Sequence, residues 1–164
     1  MRIRVVPLPL TAAAAIALAS CASTPSRAMI DPSSPITPCS SSPHCVSSKN
    51  AAGSARHVDA FEFDASTELA HAALLQVLRS HDDARIESDV MPVVHSTFHT
   101  PIGFVDDVTF VFHDDSKLID VKSRSRIGYY DFGVNRRRVE QLRLQFAAAL
   151  AKASSPASEG AGQR

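Results

Sequence analysis

The fold is decided by residues 105–122, which read VDDVTFVFHDDSKLIDVK. Apolar and polar residues alternate on both sides of residues 113–116, a pattern typical of two antiparallel strands joined by a short loop. A loop centred on residues 114–115 predicts that Phe110 lies opposite Ile119. The predicted core face consists of Phe104, Val108, Phe110, Ile119, Val121 and Ile127. The opposite face is polar and consists of Asp107, Thr109, Asp120, Lys122, Arg124 and Arg126. A shift of one residue would reverse both faces, so the alternation is strong evidence for an antiparallel sheet.

Two amphipathic helices flank the predicted hairpin. Ser66 or Thr67 caps the first, whose apolar face consists of Ala70, Leu74, Val77 and Leu78. Asn135 caps the second, whose apolar stripe consists of Val139, Leu142, Phe146, Ala149 and Leu150. Residues 84–89 and 91–100 are two further strand candidates. These elements predict a small two-layer α+β domain, in which an antiparallel sheet of about four strands packs with an N-terminal and a C-terminal helix.

The first twenty residues, MRIRVVPLPLTAAAAIALAS, have the pattern of a signal peptide. Arg2 and Arg4 precede an apolar run that is too short for a stable membrane-spanning helix. Residues 18–21, Leu-Ala-Ser-Cys, resemble the lipobox of bacterial lipoproteins, in which the Cys21 thiol would carry the lipid. The alternative is an ordinary secretory peptide cleaved near Ser20. Because Ala22 follows rather than Asp, we expect a lipid anchor in the outer membrane, facing the periplasm.

Composition divides the remaining chain. Residues 21–56 are rich in Ser, Pro and Ala and read as a tether, residues 57–151 as the α+β domain and residues 152–164 as a disordered tail.

Cys39 and Cys45 would lie in an oxidising periplasm, so a disulfide that closes the tight loop at residues 39–45 is expected. Free thiols or a redox role stay open as alternatives. A zinc site at Cys39, His44 and Cys45 lacks a fourth ligand, so neither a metal nor a cofactor is predicted.

Charge is balanced overall but not locally. The chain has 17 Lys and Arg against 17 Asp and Glu, which argues against a polybasic nucleic-acid binder. Residues 59–115 hold twelve acids and two bases, whereas residues 117–143 hold eight bases and three acids. Opposed fields within one domain are therefore expected.

The basic region contains the candidate site. Arg136, Arg137 and Arg138 fall in the first turn of the last helix, where cations oppose the helix dipole unless an anion is near. We predict an anion site for phosphate, carboxylate or an envelope head group, formed by Arg126, Asn135, Arg136 and Arg138. Asp106 lies on the core face and would orient an arginine. The alternative is that the arginines pair with the protein's own carboxylates.

Three ordered blocks carry a family resemblance: PCSSSPHCVSS at 38–48, GFVDD at 103–107 and SRIGYYDFGVNRRR at 125–138. Together they resemble the family known as domain of unknown function 1499, from Pro38 to about Phe146. The chain departs from the family pattern at Ser40 (family Pro), His44 (family Asn) and Lys122 (family Arg). The resemblance implies that the two cysteines, Asp106 and the arginine block belong to one constellation. It implies no activity, because none is established for the family.

The sequence therefore favours a lipid-anchored accessory or binding protein of the cell envelope with an anion-binding basic site. A hydrolase-like periplasmic enzyme is the alternative, with Asp106 as general acid or base and the arginines stabilising charge. A purely structural interaction module is a third reading. No catalytic residue is assigned.

Overall fold

The computed structural model describes residues 36–155 of the chain. The elements of this range are β1 (Cys45–Ser47), β2 (Phe61–Glu62), α1 (Thr67–Arg79), β3 (Ala84–Val90), β4 (Val93–His99), β5 (Val105–His113), β6 (Leu118–Ser125) and α2 (Val134–Ser154). The predicted signal peptide, the predicted lipidation residue Cys21 and residues 156–164 lie outside the described range. None of the helices within it is long and apolar enough to cross a membrane.

One antiparallel sheet carries the fold, in the order β1-β6-β5-β4-β3, and β2 pairs with the opposite end of β6 from β1. The two helices pack together, and their buried side chains meet the sheet in a single core. The α+β class and the antiparallel sheet are confirmed. The sheet of the described range has six strands rather than about four, because β1 and β2 are only three and two residues long. Strands this short show no alternation that a sequence pattern can detect.

The hairpin forms with its predicted faces but with a different register. Phe110 lies opposite Val121 rather than Ile119, and Ile119 lies opposite Phe112. The turn takes up residues 114–117, with Lys117 in the left-handed region at φ 54°. The pairing is thus displaced by two residues. Because side chains repeat every two residues along a strand, Phe110 and Ile119 still face the core.

The core is aromatic at its centre. The ring of Phe61 lies 5.7 Å from those of Phe110 and Phe146, joining β2, β5 and α2. The first helix begins as predicted, because the Ser66 side chain accepts a hydrogen bond from Leu69 N. Its predicted apolar face is buried against this core, as Ala70, Leu74, Val77 and Leu78.

The predicted tether is too long, because residues 36–56 belong to the folded unit. Ile36 and Val46 are buried, and β1 pairs with β6 along the sheet edge. Ser48 Oγ donates to the buried Asp120 at 2.7 Å, which ties this segment to β6. Pairing with a distant strand orders a segment that has no secondary-structure period of its own. At the other end, α2 continues to Ser154, three residues into the predicted tail.

Candidate functional site

Asn135 lies at the centre of a buried polar network. It is fully buried in the first turn of α2, not at the N-cap as predicted, because Gly133 holds that position at φ 75°. Asn135 Nδ2 donates to His44 O at 3.2 Å and to Ser125 Oγ at 2.9 Å, and Asn135 Oδ1 accepts from Ser123 Oγ. One side chain therefore holds the disulfide loop, the end of β6 and the start of α2 together.

Asp131 fills the position predicted for a bound anion. Its Oδ1 accepts from Gly133 N and its Oδ2 from Asn135 N, each at 2.9 Å. Partial burial opposes the ionised form, but the hydrogen bonds from Asn135 and Gly133 outweigh it, and the pKa of Asp131 lies below its ordinary value. An internal carboxylate thus satisfies two backbone amides at the start of α2, those of Gly133 and Asn135.

Asp106 and Arg138 form a buried ion pair. Arg138 Nη2 lies 2.8 Å from Asp106 Oδ2, and the two side chains are 10% and 3% exposed. The guanidinium also lies over the Phe98 ring, 4.8 Å from its centroid. An arginine of the last helix is one of the partners that the sequence predicted for Asp106. Asp106 does not line the cavities of about 670, 300 and 210 Å³ in the described structure.

Arg126 lies at the end of β6 and pairs across the sheet with Asp107. Arg126 Nη2 donates to Asp107 Oδ1 at 2.8 Å, and Nε lies 3.1 Å from both carboxylate oxygens. His95 Nε2 lies 3.3 Å from the same carboxylate without forming a well-directed hydrogen bond. Burial opposes ionisation of Asp107, but His95 and Arg126 outweigh it and lower its pKa. The Asp107 hydrogen bond in turn raises the pKa of Arg126.

Arg136 binds backbone rather than a carboxylate. Its Nη2 donates to Ala55 O at 2.8 Å and to His57 O at 2.7 Å. The three guanidinium groups of the predicted anion site therefore bind in three different places. Arg126 binds Asp107, Arg136 binds the carbonyls of residues 55 and 57, and Arg138 binds Asp106. They do not converge on one pocket. Pairing with the protein's own carboxylates, the alternative reading, describes Arg126 and Arg138, whereas Arg136 binds backbone carbonyls.

Cys39 and Cys45 form the predicted disulfide. The loop it closes is held by Asn50, whose Oδ1 accepts from Cys39 N at 3.0 Å, and by Arg56, which donates to the carbonyls of Ser41 and Ser42. No group of three or more His, Cys, Asp or Glu residues within residues 36–155 is arranged to hold a metal ion.

A cluster of exposed apolar side chains lies at one end of the sheet, on the loops at residues 100–104 and 126–133. We name it the loop end, and its members are Ile102, Phe104, Ile127, Tyr129, Tyr130 and Phe132, exposed by between 40% and 82%. The loops are neighbours, because Arg126 N donates to Val105 O at 2.9 Å. The core positions predicted for Phe104 and Ile127 are wrong. Both residues lie just beyond the ends of β5 and β6 and are exposed.

The sequence carried a signal for the loop end that the alternation pattern does not detect. Three aromatic residues, at positions 129, 130 and 132, lie between Gly128 and Gly133, which both have positive φ. Large aromatic side chains in a turn bounded by glycines lie outside any strand or helix, so they need a separate explanation.

The family model described as protein of unknown function (DUF1499) matches residues 35–146. The chain belongs to the DUF1499 family. Comparison with curated proteins and with solved structures finds no match. The DUF1499 region begins where the described fold begins, and its last residue, Phe146, lies in the core.

The three blocks that carry the DUF1499 resemblance meet in space. Asp106 of the second block binds Arg138 of the third, and Asn135 of the third binds the His44 carbonyl of the first. The constellation that the resemblance implied is therefore real, and its buried members form a structural frame.

Proposed function

We propose that this DUF1499 protein is a lipid-anchored accessory domain of the cell envelope, held at the outer membrane by Cys21 and facing the periplasm. It acts by binding rather than by catalysis. The lipobox-like sequence at residues 18–21 supports the anchor. The binding role is supported by the loop end, where six large apolar side chains are exposed to water. Exposed apolar patches of this kind commonly mark sites of interaction, because contact with water is unfavourable for them.

The buried frame supports the same proposal. Its polar side chains bind other groups of the protein, and these contacts position the 126–133 loop on the sheet. The residues concerned are Asp131, Asn135 and Arg138. A rigid frame beneath an exposed apolar surface is suited to recognition, because little conformational entropy is lost on binding. The hydrolase alternative requires an accessible Asp106, whereas this carboxylate is enclosed with Arg138.

The experiment that tests the anchor is metabolic labelling with palmitate. Wild-type protein is expected to incorporate the label and Cys21→Ala to lose it. A matched control is Cys39→Ser/Cys45→Ser, which keeps the label because those two cysteines are joined in a disulfide. Label that persists in Cys21→Ala would refute the proposed attachment.

A further inference from the structure

The loop end is a projecting surface rather than a groove. Its side chains take little part in the cavities of about 670, 300 and 210 Å³ within residues 36–155: Tyr130 lines the one of about 300 Å³, and the other five side chains line none of these three. The rings of Tyr130 and Phe132 lie 5.2 Å apart at 84°, and Thr100 closes the neighbouring loop by accepting a hydrogen bond from Phe104 N at 2.9 Å. Aromatic rings held at the tips of loops are suited to inserting into the interface of a lipid bilayer rather than to enclosing a ligand.

The chemistry of the loop end matches the interface of a bilayer. Tyr favours the boundary between head groups and acyl chains, because its ring is apolar and its hydroxyl stays wet. Phe adds apolar area that can enter the acyl side of this boundary. Of the bases in residues 122–138, Arg126 and Arg138 are paired with Asp107 and Asp106, and Arg136 binds backbone carbonyls. Arg137 is exposed beside the loop end, with Nη1 donating to Phe132 O at 2.8 Å. The turn after α1 also lies at this end of the sheet, because His99 N donates a hydrogen bond to Asp83 O. This turn carries two exposed acidic residues, Asp82 and Asp83. Basic charge therefore lies on the 126–138 side of this end.

The position of the chain entry places this surface within reach of a membrane. Thr37 Oγ1 accepts from Lys122 Nζ at 3.0 Å, so the described chain enters beside β6. Five residues of roughly 3.3 Å each, about 17 Å, separate Lys122 from Ile127 at the loop end. Ile36 is the fifteenth residue after Cys21, and fifteen residues span at most about 50 Å. A lipid on Cys21 therefore keeps the loop end close to the bilayer that holds it.

We infer that the loop end docks onto the anionic head-group surface of the membrane in which Cys21 is anchored, with Tyr129 and Phe132 entering the interface and Arg137 facing lipid phosphates. This inference rests on the proposed function and adds the occupant of its surface. Docking fixes the orientation of the domain: the turn between β3 and β4 lies at the opposite end of the sheet and faces away from the bilayer.

The natural chain contains no Trp, so a single introduced Trp reports its own surroundings without background. The test uses the lipidated full-length protein in vesicles of phosphatidylethanolamine and phosphatidylglycerol, with Tyr129→Trp as the probe. The matched control is Val90→Trp, since Val90 is similarly exposed but lies at the other end of the sheet. We expect blue-shifted emission and quenching by brominated lipid for Tyr129→Trp, and neither for Val90→Trp.

Charge is tested by combining Arg137→Gln with Tyr129→Trp. One arginine near an anionic surface contributes about 1 kcal/mol, so the docking equilibrium is expected to fall about fivefold. Equal quenching in pure phosphatidylcholine would overturn the head-group recognition. If the emission shifts to the blue without vesicles, and more so at higher protein concentration, the surface binds a second copy of the chain. If the blue shift requires peptidoglycan sacculi, the surface binds glycan. Either result overturns membrane docking.

The outcomes separate the two proposals. Flotation of the protein with the vesicles reports the lipid anchor, whereas quenching of the introduced Trp reports docking. Protein that floats while its Tyr129→Trp probe is unquenched would refute docking and leave the anchor intact. Protein that takes up no palmitate would refute the anchor itself.

Discussion

Replacing Arg138 with methionine should be among the most damaging substitutions on the surface of α2 that meets the sheet. Its guanidinium lies 2.8 Å from Asp106, whose side chain is 3% exposed. Removing one partner of a buried ion pair typically costs about 3–5 kcal/mol, because the other charge is left without compensation. Methionine retains much of the packing against Phe98, so the loss should come mainly from the stranded carboxylate. For a fold of this size, this corresponds to a fall in Tm of roughly 12–20 °C, at about 4 °C per kcal/mol.

A double-mutant cycle tests this explanation. Arg138→Met, Asp106→Leu and the double variant are compared by urea unfolding followed by circular dichroism. The double variant should recover most of the loss, since apolar residues of similar volume often replace a buried pair without cost. Arg143→Met is the control on the same helix, because its pair with Glu140 is partly exposed, and should change stability by less than about 1 kcal/mol. A cost below about 1 kcal/mol for Arg138→Met, or no recovery in the double variant, would refute the reasoning.

Two further predictions concern the start of α2. The pKa of Asp131 is depressed by its hydrogen bonds, so its stabilising contribution is complete above its ordinary pKa and is lost as pH falls toward the depressed value. Asp131→Ala should therefore lose about 0.5–2 kcal/mol of capping at neutral pH and show a shallower loss of stability in acid, and an unchanged acid limb of Tm against pH would contradict this. Arg136→Ala should cost roughly 1–3 kcal/mol, because it removes charged donors from the carbonyls of Ala55 and His57. The control is Arg137→Ala at the adjacent, exposed position, which should change the free energy of unfolding by less than about 0.5 kcal/mol in the same thermal melts. Equal losses for the two variants would show that the hydrogen bonds from Arg136 to residues 55 and 57 contribute nothing to stability.

The hairpin shows how far alternation predicts structure. It identified which faces of β5 and β6 are buried, because the faces depend only on whether a residue is at an odd or even position. It could not determine the register, since a shift of two residues preserves both faces and depends on the turn. The left-handed Lys117 extends that turn by a conformation that a non-glycine residue seldom adopts. The same pattern, continued past the strand ends, wrongly placed Phe104 and Ile127 in the core.

The candidate site shows a different limit. The sequence identified Arg136 and Arg138 as residues that break the local preferences of a helix start, and Asn135 as its cap. Each of the three is held by long-range contacts. Their partners come from segments up to 91 residues away, so local pattern could not distinguish an external anion from an internal acceptor. Asp131, which supplies the negative charge at the helix start, lies only four residues before Asn135, but its role depends on the turn at Gly133.

By itself, the sequence determined the α+β class, the two main helices, the buried faces of the hairpin and the family. These follow from periodicity and from motifs, which are properties of neighbouring residues. The tertiary structure alone decided that residues 36–56 belong to the fold, that the arginines bind internal groups and that six apolar side chains gather at one end of the sheet. Those outcomes depend on which distant segments satisfy one another's charges and hydrogen bonds, and on where the strands of the sheet end.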